Sequence, residues 1–150
     1  MSDQQLYIAR FTRIFLDSFS ARDIVEPLIS IDNDKATSYA IDLMNKRDFD
    51  AIGIRDKGEI IGYILRDDLG SGICKSYVRK YNETDLVSDS GSFLTVIDLL
   101  NEQQRIFVHI FGQVNGIITQ DDLQKPPLRM WLFGIITIIE MNFTNTIREY

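Results

Sequence analysis

Ile60-Ile61-Gly62-Tyr63-Ile64-Leu65-Arg66-Asp67-Asp68-Leu69 returns 54 positions later as Val114-Asn115-Gly116-Ile117-Ile118-Thr119-Gln120-Asp121-Asp122-Leu123. The glycine, one isoleucine, both aspartates and the leucine are identical, and several other positions stay apolar. An internal repeat decides the architecture before local propensity does. The match extends upstream. Ala36, Tyr39, Ala40 and Leu43 take the i, i+3, i+4, i+7 spacing of one helix face, and Phe93, Val96, Ile97 and Leu100 repeat it at an offset of 57. Asp32 or Asp34 is the expected cap of the first helix, and Ser90 or Ser92 of the second. Strands are expected at Ala51 to Ile54 and Glu59 to Leu65 around a turn at Asp56-Lys57-Gly58. Their counterparts are Ile106 to Phe111 and Val114 to Thr119, around a tighter turn at Gly112-Gln113. Short extended pieces, Leu28 to Ile31 and Asp85 to Val87, precede the helices. Each half therefore reads strand, helix, strand, strand, short helix.

One repeat of roughly 50 residues buries little surface alone. The expected fold is α/β (α+β): two βαββα repeats in a pseudo-twofold pair, strands in the middle and helices outside. The segments are 1–20, an N-terminal helix; 21–70, the first repeat; 71–124, the second repeat; and 125–150, a long C-terminal helix. Gln4 to Phe19 carries Tyr7, Phe11, Ile14 and Phe15 on one face. Pro126-Pro127 suits a helix start. Leu128, Trp131, Leu132, Ile135, Ile138 and Ile139 then form a stripe, which Met130, Phe133 and Ile136 widen beyond one docking face. A second subunit, a regulated protein partner or further chain is expected to cover the remainder.

Composition narrows the chemistry. The 150 residues carry a net charge of −6, and the pI is about 4.7. No basic stripe marks a nucleic-acid surface, and anionic membranes are poor partners. Met1 to Arg10 has no signal-peptide run. The apolar stretch Met130 to Phe143 is shorter than the roughly 20 residues of a span, so a buried or interfacial helix and a cytoplasmic protein are expected. A single cysteine, Cys74, and a single histidine, His109, leave no obvious nucleophile–base set, so no enzyme and no metal are expected.

With both copies in register, the sequence resembles a tandem pair of cystathionine-β-synthase (CBS) domains, over roughly Ala21 to Leu123. Gly116 to Leu123 carries the likeness most strongly, and Ala21-Arg22-Asp23-Ile24-Val25-Glu26-Pro27 is similar to the family's opening segment. The resemblance implies a flat homodimer and an adenine nucleotide (AMP, ADP or ATP) held as a regulatory ligand between the repeats. Asp122 would accept bonds from the ribose diol, with Thr119 and the backbone at Gly116 beside it. Ile106, Val108, Leu86 and Val87 would line the adenine slot. Lys125, Arg129 and Arg22 are phosphate candidates. In the first repeat Asp68 is kept but Leu65 replaces the threonine, so the second site is the stronger expectation. Three plainer readings stand beside this one. The aspartates are helix caps; the fold is a dimerisation module without a ligand; or Asp121 and Asp122 hold magnesium in a phosphohydrolase.

Overall fold

A computed structural model describes residues 2–148. Met1 of the first segment and the last two residues of the 125–150 segment, including Tyr150, lie outside the described residues. Four helices and seven strands follow one another as α1 (Asp3–Ser18), β1 (Glu26–Pro27), β2 (Ser30–Asp32), α2 (Thr37–Arg47), β3 (Ala51–Asp56), β4 (Glu59–Leu65), β5 (Leu86–Ser88), α3 (Phe93–Glu102), β6 (Arg105–Ile110), β7 (Gln113–Thr119) and α4 (Pro126–Arg148). The strand–helix–strand–strand order occurs twice, and each copy ends in a 3-10 turn, Arg66–Asp68 or Gln120–Gln124. This is the mixed α/β class expected, with the N-terminal helix and the long C-terminal helix in place.

One sheet has the strand order β2-β3-β4, the other β1-β7-β6-β5. In the first, β2 runs parallel to β3, and β3 pairs antiparallel with β4. In the second, β1 pairs antiparallel with β7, setting Pro27 opposite Gly116. Both long hairpins close on two-residue turns, Lys57-Gly58 and Phe111-Gly112. All four residues have positive φ, between 50° and 87°. That is the geometry whose twist matches the flanking strands. The two turns are therefore the same size, against the expectation of a tighter second one.

The buried face of α3 lies on residues expected for it, whereas that of α2 is shifted by one residue. Thr37, Ala40 and Met44 are buried in α2, as are Phe93, Val96 and Leu100 in α3, an offset of 56 (93 − 37). Tyr39 stays half-exposed. Ser92 caps α3 and accepts from the Thr95 N–H. Neither Asp32 nor Asp34 caps α2: its cap position is Ala36, with no side-chain bond. The Thr37 N–H instead donates to the Gly72 carbonyl, and Ala36 bridges to Ile73. A segment some 35 residues away thus does the work of a cap, which no local pattern announces.

The described residues form two compact units, 2–25 with 87–106 and 118–148, and 26–86 with 107–117. Neither coincides with a sequence repeat; each draws on both. The second unit has its core in Ile31, Ala40, Met44, Ile52, Ile54, Ile64 and Cys74. Beside it Leu28, Phe107 and Val114 pack with Tyr63 and Tyr81. Here the repeated glycine finds a reason. Tyr63 and Arg79 exchange both backbone bonds, and a Cβ on Gly62 would overlap the Arg79 carbonyl. Only a residue without a side chain admits that approach.

In the first unit a file of aromatic rings runs down α1, Tyr7 to Phe11 to Phe15 to Phe19, at centroid spacings of 6.4, 4.8 and 6.2 Å. It continues through Phe93 to Trp131 of α4, each step 5.7 Å. Spacing of four residues puts these rings on one helix face. The Phe15 ring lies directly on the α4 backbone at Gly134, where any Cβ would overlap it. Leu128, Trp131, Gly134 and Ile138 are the buried side of α4. The 23-residue helix is long and apolar enough to cross a membrane by length and composition, and 17% of its most apolar window is buried. It outruns the apolar stretch Met130 to Phe143 at both ends.

Candidate functional site

Strand β7 ends at Thr119, and the chain turns at once into Gln120–Gln124. That turn opens on a reciprocal cap. Asp122 Oδ2 accepts from the Thr119 N–H at 2.7 Å and from Thr119 Oγ1 at 3.2 Å. Its other oxygen, Oδ1, meets Lys125 Nζ at 2.9 Å. Lys125 also donates to the Ile24 carbonyl at 2.7 Å. The Asp122 side chain is only 10% exposed. A carboxylate offers about four acceptor positions, and three are filled. The cap reading and the pairing of threonine with aspartate are thus both present in one cluster. Asp121 is exposed while its neighbour Asp122 is buried, so the two carboxylates face different surroundings.

Lys125 is a strut between the turn and the Ala21–Val25 segment, and not a free surface cation. Arg22 is likewise engaged: its guanidinium lies 3.3 Å from Asp89, and its N–H donates to the Asp89 carbonyl. Arg129 is exposed at the first turn of α4. Gln120 ties the same turn to the end of α3 by donating to the Leu100 carbonyl at 3.0 Å. Thr119, Asp122, Lys125 and the segment carrying Arg22 are therefore gathered in the first unit.

The expected adenine slot fares differently. Ile106 and Val108 have no accessible surface, and Val87 is buried. All three belong to the core: β6 is covered on both faces along its middle, and Val87 is the buried centre of β5. Gly116 is buried opposite Pro27. Leu86 is half-buried and lines an open hollow of about 390 Å³ in the second unit, with Glu59, Ile60, Tyr81, His109 and Val114 among its walls. The Tyr81 hydroxyl donates to the Gly62 carbonyl at 3.0 Å. Burial pushes the Tyr81 phenol well up, with Tyr63 adding to it.

Asp68, in the second unit, occupies the same place in the repeat as Asp122 but makes no cap. Its Oδ2 accepts from Arg79 Nε at 2.6 Å, with the carboxylate side chain 33% exposed. That bond, with desolvation opposing it and Asp68's charge adding to it, raises the Arg79 pKa further. Sequence reasoning missed Arg79, which lies outside the two repeated ten-residue stretches and 11 residues from its partner. The Asp122–Lys125 spacing of three was the legible signal for the other pair. Among the described residues, no group of three or more His, Cys, Asp and Glu side chains comes together to hold a metal.

No family model matches the sequence, and no curated protein matches it. Solved structures do. The CBS domain of a bacterial CNNM/CorC family Mg2+ transporter superposes with a TM-score of 0.59 at 14% identity, covering 85% of this chain and 86% of that one. This chain has the CBS-domain fold. CBSX2, solved in complex with AMP, gives a TM-score of 0.63 at 16% identity over 75% of this chain and 98% of its own. A conserved CBS-domain protein of unknown function from Thermoplasma acidophilum gives 0.60 at 16% identity, over 81% and 76%. These identities establish the CBS fold alone; the ligand is a separate matter.

Proposed function

We propose that this chain is a member of the CBS-domain family: a cytoplasmic, non-enzymatic homodimeric module that senses an adenine nucleotide at Thr119 and Asp122. The CBS fold, shared with a protein solved in complex with AMP, supports the class of ligand. The observation that carries the reading is the Asp122 cluster, in which a nearly buried carboxylate, a hydroxyl and an ammonium meet within 3.2 Å. A ribose diol needs two acceptor positions, and Asp122 has about one left. The diol therefore takes the place of Lys125 on Oδ1. The released ammonium is then next to the sugar, where a phosphate would follow, and gains an anion in exchange for the one it gives up. Hydrogen bonds to a charged group contribute about 1.5–3 kcal/mol each, enough to offset the loss of the ion pair.

Calorimetry with adenosine, AMP, ADP and ATP on the wild type, Asp122→Asn and Lys125→Met tests this. The expected result is nucleotide binding by the wild type and a loss of at least about tenfold in Asp122→Asn. Lys125→Met should lose affinity for AMP and keep or gain it for adenosine. Unchanged affinity in Asp122→Asn would remove that carboxylate from the site. A second reading is a dimerisation module of the same fold with no ligand. The satisfied state of Asp122, already bonded to Thr119 and Lys125, favours it, and it is the reading left if none of the four compounds binds the wild type.

A further inference from the structure

Helix α4 has two apolar faces, and α1 covers one of them. On the other, Leu132, Ile136, Ile139, Phe143 and Ile147 are 42–74% exposed. Their spacings are 4, 3, 4 and 4 residues, which at 100° per residue confines them to an arc of about 80°. That arc lies across the helix from Trp131, Gly134 and Ile138. Phe133, 72% exposed, flanks it. At about 200 Å² for a fully exposed large side chain, these six leave roughly 700 Å² of apolar surface open. The largest patch on an ordinary monomer is about 300–600 Å², and one partner of a standard interface contributes about 800 Å².

We propose that this seam of α4 packs against the same seam of a second copy of the chain. The inference rests on the homodimer proposed above, supplies its surface, and does not depend on nucleotide. Three observations select a second copy. The area matches one side of a stable dimer. The alternation of three and four residues is the spacing that lets side chains of one helix seat between those of another. And the charge argues against a lipid surface: α4 carries only Arg129 and Arg148 against Glu140, in a chain of net charge −6, whereas helices that lie on membranes are rich in Lys and Arg along the polar face.

Sedimentation equilibrium of the full chain without nucleotide tests the proposal, on the wild type, Ile136→Glu with Phe143→Glu, and the milder Ile136→Ser with Phe143→Ser. The wild type is expected as a dimer at micromolar concentration. Both variants should be monomers whose circular dichroism and thermal melting still show the folded chain, because the altered positions are exposed in the single chain. A wild-type monomer would overturn the homodimer itself. A dimer that persists in a folded variant would overturn this surface while leaving the homodimer standing. Flotation with phosphatidylcholine vesicles is the companion measurement. Recovery of wild-type chain with the vesicles would overturn the second copy in favour of lipid.

Discussion

One repeated letter takes two roles according to what the chain brings near it. Asp122 closes a cap with Thr119 and holds Lys125. Asp68 has Leu65 where Thr119 would be, makes no cap, and goes to Arg79. The aspartates and the missing hydroxyl were legible; Arg79 was not, since its nearness follows from the backbone bridge between Tyr63 and Arg79. The hairpin tips carry the same lesson. Phe111 is fully exposed and sits at φ 52°, followed by Gly112 at φ 78°. Asn-Gly is the favoured pair in such a turn, and a bulky ring at positive φ is strained. Phe111→Asn should therefore stabilise the fold by about 0.5–1 kcal/mol. A urea unfolding curve reads this directly, and a lower midpoint would mean that the ring makes a favourable contact in solution.

At the scale of elements, the two repeats keep one plan and differ in how it is secured. Helix α3 has a local cap in Ser92, whereas α2 is held at its start by Gly72 and Ile73. Ser92→Ala is expected to cost about 1 kcal/mol, and Asp34→Ala to stay within about 0.5 kcal/mol. Thermal melting of the pair checks both, and an equal loss in the two would contradict the assignment of α2's start. The element order was readable because apolar spacing and the glycine turns are local properties. The rotation of α2 by one residue was not. Ala36, Tyr39, Ala40 and Leu43 make as good a face on paper as Thr37, Ala40 and Met44, and only the packing partner chooses. The residues expected to line the adenine slot likewise take their surroundings from packing. Ile106-Phe107-Val108 is an unbroken apolar run, the pattern of a strand covered on both faces, and all three residues are buried.

Across the whole molecule, a buried thiol and a half-buried phenol set a common limit. Burial raises the Cys74 thiol above its ordinary 9.0, and the Tyr81 phenol above 10.0. Below those values both groups are protonated in the folded and unfolded chains, and their contribution to stability is full. As pH climbs past them the unfolded chain ionises first, and stability falls until the folded groups titrate too. The urea midpoint should thus hold level from neutrality to about pH 8.5 and drop by about pH 10.5. Tyr81→Phe should remove part of the drop, and a midpoint that rises over that range would contradict it. The gathering of distant segments has a temporal consequence. Phe15 rests on Gly134, 119 residues later. At about 5–20 residues per second of synthesis, the aromatic file of α1 leaves the ribosome some 6–24 s before its partner helix does. During that interval the nascent chain carries four unshielded rings, a binding surface for any chaperone that meets it first.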